Sequence, residues 1–196
     1  QIEVLNASAN SWNPRNELAY LRRFGLFNSD VLVLLINTDD LFGTPPTSLG
    51  VGRSRNYPQV KPLLALTEVL SKFQSNPVIP ELRQIQQEGG DRVGKNLAAI
   101  RAIKQLTTQA NTSFILALTP LRREIEPGSK DYEIKARNRL KEFTLREQIS
   151  YLDFLPLFAK FQPIESLYRD HIHLSPQGNQ LVVKQISQML ATKSEK

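Results

Sequence analysis

Residues 31–36 read Val-Leu-Val-Leu-Leu-Ile, six apolar side chains without interruption. An amphipathic helix or a half-exposed strand would break such a run with polar residues every second or third position. An unbroken run of this length, entered through Ser29-Asp30 and left through Asn37-Thr38-Asp39-Asp40, fits a strand buried on both faces, as in a parallel sheet. Parallel strands need long crossovers, and the rest of the chain reads as a supply of them. Asn13-Pro14 opens a helix, with Asn as cap and Pro in the first turn. Its apolar face is Leu18, Leu21 and Phe24, and Gly25 closes it. Asp91 caps a longer helix carrying Val93, Leu97, Ile100, Ile103 and Leu106, and Ser113–Leu118 follows as another apolar strand. A charged helix over 130–147 is expected to bury Tyr132, Ala136, Leu140 and Phe143, with its mixed charges solvated. Tyr151–Phe154 reads as a strand, and Ser175-Pro176 starts a last helix with Val182, Ile186 and Met189 facing in.

Three further segments complete the pattern. Ile2–Asn6 is a short apolar and β-branched run, read as a strand ahead of the first helix. Leu63, Leu66, Leu70 and Phe73 have helical spacing, and Glu81–Glu88 makes a shorter helical piece. Alternating strands and helices predict an α/β fold: a three-layer α/β/α sandwich with a mainly parallel sheet, one domain over residues 1–191 and a frayed tail over 192–196. The 25 basic and 19 acidic residues give a net charge of +6, but they are scattered, with no run of five like charges. That pattern suits a solvated surface and speaks against a nucleic-acid groove. No apolar run approaches the length of a membrane span. The absence of cysteine excludes disulfides and thiol catalysis.

In open parallel sheets ligands bind beyond the carboxyl ends of the strands. Three polar clusters fall there: Asn6–Ser11, Asn37–Asp40 and Asp170–His173. The last contains both histidines of the chain, in Tyr168-Arg-Asp-His-Ile-His-Leu-Ser-Pro-Gln-Gly178. An imidazole can take a proton from a hydroxyl nucleophile near neutral pH, and a carboxylate three residues earlier can fix its tautomer. Either histidine is titratable; the spacing from Asp170 favours His173 over His171. Ser8 and Ser11 are hydroxyls after a strand, more commonly turn residues than nucleophiles. Asp39, Asp40 and Asp170 could instead serve metal-assisted hydrolysis, although a helix cap and a surface charge explain the aspartate pair more readily. The Gly-, Pro- and Arg-rich stretch 43–59 exceeds an ordinary connection and is expected to shape a binding pocket through Arg53, Arg55 and Tyr57.

Taken together these motifs resemble the SGNH, or GDSL-type, hydrolases, a superfamily of serine esterases and lipases. Asp170-His-Ile-His-Leu-Ser-Pro-Gln-Gly178 is similar to the family's final Asp-x-x-His box. Val4-Leu-Asn-Ala-Ser-Ala-Asn-Ser11 is similar to its second motif, with Ser11 where a glycine belongs. Leu34-Leu-Ile-Asn-Thr-Asp-Asp40 is similar to its third, with Asp39 where an asparagine belongs. The resemblance implies a flavodoxin-like fold, no cofactor or metal, and hydrolysis of a small-molecule or glycan carboxylic ester through an acyl-enzyme. His173 would be the base, Asp170 its orienting partner, and Ser11 and Asp39 the oxyanion side. It also implies that the nucleophilic serine and the strand bearing it precede Gln1, so that the sheet's first strand is missing from this chain. The alternative is an impaired member of the same fold that binds a glycan or acyl group without turnover.

Overall fold

The structure, a computed structural model, describes residues 3–54, 57–60, 63–66, 69 and 77–194. It divides into two compact units, one of Gln1–Gly43 with Val93–Lys196 and the other of Thr44–Arg92. The larger unit holds α1 (Pro14–Phe24), β1 (Val31–Asn37) and a 3-10 turn (Thr38–Phe42). The smaller unit contains α2 (Pro80–Gln86). The chain continues with α3 (Arg92–Gln109), β2 (Ser113–Thr119), a π-type turn (Glu124–Gly128) and α4 (Asp131–Arg146). It ends with β3 (Ser150–Asp153), the short α5 (Leu155–Phe158), a 3-10 turn (Ile164–Leu167) and α6 (Pro176–Ser194). Among the described residues no helix is long and apolar enough to cross a membrane.

The fold is α/β with a three-stranded, all-parallel sheet in the order β1-β2-β3. Leu35 lies opposite Ala117, which in turn lies opposite Leu152. Alternation along β2 sends its side chains to two cores. Phe114, Leu116 and Leu118 join Leu34 and Ile36 of β1 under α1, α3 and α4. Ala117 joins Phe154, Phe158, Leu167, Tyr168 and, from α6, Val182. Helices therefore cover both faces of β2, an arrangement compatible with an α/β/α sandwich. Each fully buried Leu or Ile contributes about 1.5–3 kcal/mol by leaving water.

The apolar run 31–36 is a strand as expected, but it is buried on one face only. Leu34 and Ile36 are inside, whereas Val33 and Leu35 are 36% and 44% exposed. Among the described residues β1 lies at the edge of the sheet with β2 beside it, and neither Val33 nor Leu35 joins the second core. The strand expected at Ile2–Asn6 does not form over its described part. Residues 3–9 have no regular structure, and Val4 and Leu5 are exposed. An extended segment becomes a strand only when a neighbour accepts its backbone hydrogen bonds, and none pairs with it among the described residues. Two expected core residues also lie outside the core. Phe24 packs its ring on Tyr20, and Tyr132 packs edge-on against Phe42. Of the helical stripe expected at 63–73, Leu63 and Leu66 are exposed, and Leu70 and Phe73 fall outside the described residues.

Candidate active site

The Asp170–His173 loop is held from several sides. Tyr168 and Leu174 form an antiparallel bridge across it. The Arg169 N–H donates to the His173 carbonyl at 2.8 Å, and the Ser175 N–H donates to the Leu167 carbonyl at 2.9 Å. Two further bonds fasten the loop to the segment leaving β2. The Arg122 N–H donates to the His171 carbonyl at 3.0 Å, and the buried Tyr168 hydroxyl donates to the Pro120 carbonyl at 2.8 Å. Behind the loop, Ser175 caps α6: its Oγ accepts the Gly178 N–H at 3.1 Å and donates to the Ser166 carbonyl. Gly178 has a steric reason, since a Cβ there would stand 2.3 Å from the Leu167 carbonyl oxygen.

Within this frame Asp170 Oδ2 lies 2.7 Å from His173 Nδ1, while its Oδ1 accepts the N–H groups of His173 and Ile172 at 2.8 and 2.9 Å. The His173 N–H, the Ile172 N–H and the imidazole, in that order, hold the Asp170 carboxyl well below the usual carboxylate range. An ionised Asp170 accepts a proton-bearing Nδ1, so the neutral ring keeps its lone pair on Nε2. The His173 side chain is largely exposed. The structure thus brings Asp170 together with His173, whereas His171 is tied in through its backbone carbonyl.

Asp39 follows the carboxyl end of β1 in the 3-10 turn, and Ser11 lies two residues before Asn13, which packs on Gly43 just beyond that turn. Ser11 has φ of 62°, in the left-handed region that favours glycine. Two residues later Asn13 caps α1, its Oδ1 accepting the Arg15 N–H at 3.0 Å. The Asn13 side chain packs so closely on Gly43 that a Cβ there would approach it to 2.3 Å, which fixes the start of α1 beside the exit of β1. Asp39 and Asp40 belong to the 3-10 turn, where Asn37 and Asp40 form a reciprocal cap. Asp40 Oδ2 accepts the Asn37 N–H at 2.8 Å. Its pKa is nonetheless pushed up to about 6, because burial outweighs that bond and the Asp39 charge adds to the effect. Beneath it Glu17 of α1 is pushed up to about 8, by burial first and by Asp40 second. Its Oε2 is buried without a partner among the described residues.

Two arginines order this end of the sheet. Arg137 of α4, buried in the core, donates to Thr38 Oγ1 at 2.8 Å, to Glu124 Oε1 at 3.4 Å and to Asp153 Oδ1. It therefore ties together the segments leaving all three strands. Arg123 donates through Nη2 to Asp39 Oδ1 at 3.3 Å, to the Tyr132 hydroxyl at 3.3 Å and to Glu133 Oε1. Burial opposes its charge, but the bonds to Tyr132, Asp39 and Glu133 outweigh that and keep the guanidinium above its ordinary pKa. The expectation that charges over 130–147 are solvated fails at Glu133 and Arg137, both buried. Sequence reasoning missed them because their i, i+4 spacing is also that of a surface ion pair. Arg123 had a readable signal, since it follows the carboxyl end of β2.

The other expected residues that the structure describes have partners of their own. Ser8 Oγ donates to Asn6 Oδ1 at 2.7 Å and Ser11 Oγ contacts Asn10 Oδ1, so neither hydroxyl is bonded to a histidine. Arg53 pairs with Glu81 at 3.4 Å and the Tyr57 carbonyl accepts the Gly52 N–H, both within the Thr44–Arg92 unit; Arg55 lies outside the described residues. Among the described residues no three His, Asp or Glu side chains are grouped to hold a metal ion. A comparison with protein-family models finds no match, and a search of curated proteins likewise finds none.

Proposed function

We propose that this chain carries the base half of an SGNH-type serine hydrolase acting on a carboxylic ester of a small molecule or glycan. One observation carries the reading: a largely exposed histidine whose Nδ1 lies 2.7 Å from a carboxylate fixed by two backbone N–H groups. Such a unit removes a proton from a serine hydroxyl through Nε2 as that oxygen attacks the ester carbonyl, then returns the proton to the leaving alcohol. Asp170 holds the tautomer and stabilises the imidazolium between the two steps. Two further features support the reading. Ser11 has a glycine-like φ where the family carries glycine, and β1 offers an unpaired outer edge among the described residues, beside the exposed Val33 and Leu35. On this reading a further strand docks on that edge and brings the nucleophilic serine to His173.

The test is hydrolysis of p-nitrophenyl acetate by the full-length polypeptide. His173→Ala is expected to lower kcat by about 1000-fold or more without moving the unfolding midpoint. Equal rates would remove His173 from the mechanism. The second reading, binding of a glycan or acyl group without turnover, is favoured by Asp39, a carboxylate on the side where an oxyanion would develop. Saturable binding of an ester by a protein that never hydrolyses it would decide for that reading.

A further inference from the structure

We propose that Arg123 is a positioning residue for the oxyanion side, offsetting the Asp39 charge so that a carboxylate can stand there without blocking catalysis. The proposal rests on the ester-hydrolase reading and names a residue that the family resemblance does not supply. Asp39 is half exposed, and its Oδ1 receives Arg123 Nη2 at 3.3 Å. An exposed ion pair of this kind is ordinarily weak, because two long side chains must be ordered to make it. Arg123 differs because Asp39 is not what holds it. The fully buried Glu133 anchors the guanidinium through Oε1, and is itself fixed where its Oε2 accepts the Lys130 N–H at 2.7 Å. The Tyr132 hydroxyl is a third contact to the same nitrogen. The cation is thus built into α4 before Asp39 is considered, and the turn after β1 places Asp39 against it.

The chemistry needs such a cation. An ionised aspartate cannot donate a hydrogen bond, and beside a carbonyl oxygen gaining negative charge it acts against the transition state. A guanidinium on its Oδ1 offsets the field of that carboxylate, and the offset matters most in the transition state, where the carbonyl oxygen carries negative charge. The opposition is reduced while Asp39 keeps its place in the turn, where its N–H donates to Asn37 Oδ1 at 2.8 Å.

The experiment is a cycle on the full-length polypeptide with p-nitrophenyl acetate. Arg123→Gln is combined with Glu133→Gln, so that the buried anchor stays neutral and paired, and the pair is measured with Asp39 and with Asp39→Asn. With Asp39 present, kcat is expected to fall by about 10-fold or more while KM changes little; with Asp39→Asn that loss disappears. Arg123→Lys, which keeps the charge, is expected to retain kcat within about 3-fold, and serves as the second reading if the glutamine pair does not fold. Equal losses in both Asp39 backgrounds, no loss in either, or a lysine variant as poor as the glutamine one would overturn this role alone. A wild-type protein that hydrolyses no ester overturns the hydrolase reading and this role with it.

Discussion

The two halves of the candidate site are built differently. On the His173 side every strategic group has a partner: Asp170 uses both oxygens, Tyr168 and Arg122 tie the loop to the end of β2, and Ser175 caps the helix behind. On the Ser11 side the backbone is in a left-handed conformation, and among the described residues Glu17 has a buried oxygen without a partner and the adjoining strand edge is unpaired. The first half is closed by its own hydrogen bonds, whereas the second keeps backbone strain and a buried polar group that lacks a partner among the described residues.

Substitutions can break or sharpen that contrast. The largest effect is expected at Gly178, where alanine would drive a Cβ into the Leu167 carbonyl, a backbone atom that cannot swing aside. Gly178→Ala should cost about 2–3 kcal/mol in urea unfolding and loosen the His173 loop, read from its imidazole NMR signals. An unchanged midpoint would mean that this half is less tightly packed than its geometry indicates. Next comes Glu17, whose pKa rises from 4.5 to about 8 on folding. A carboxyl that holds its proton more tightly when folded contributes full stability below pH 4.5, and loses it as pH rises through about 8. Glu17→Gln removes that dependence. Its advantage over wild type should therefore grow by about 2–3 kcal/mol between pH 6 and pH 9, and parallel stability curves would refute the assignment. The smallest effect is expected at Ser11. Left-handed backbone costs a non-glycine residue about 1–2 kcal/mol, and glycine's greater unfolded-state freedom returns about 0.5–1. Ser11→Gly should stabilise by roughly 0.5 kcal/mol; a clear loss would show that the serine side chain makes a contact of its own.

Much of the frame was legible in the order of residues. The apolar runs at 31–36 and 113–118 are adjacent parallel strands, the caps at Asn13 and Ser175 begin helices, and Asp170 meets His173 because three residues of a tight loop allow little else. What could not be read depends on neighbours distant in sequence. Whether Val33 and Leu35 are covered is decided by what packs on that face of β1, not by their own hydrophobicity. Glu133 and Arg137 look like a solvated helix pair until Thr38, Glu124 and Asp153 arrive from three other segments. Val4 and Leu5 satisfy every local rule for a strand and remain exposed, because pairing is a property of two segments.

Arg137 carries a consequence for how this sheet avoids misassembly. Apolar parallel strands such as β1 and β2 would pack nearly as well if one slid by two residues along the other, since the same faces would still point inward. Such a slip, about 6.6 Å, would carry Thr38 or Asp153 out of reach of the guanidinium. A buried charge left without its partners is far costlier than a few misplaced methyl groups. One arginine bonded to the exits of all three strands therefore acts as a proofreader, rejecting alignments that the hydrophobic core alone would accept.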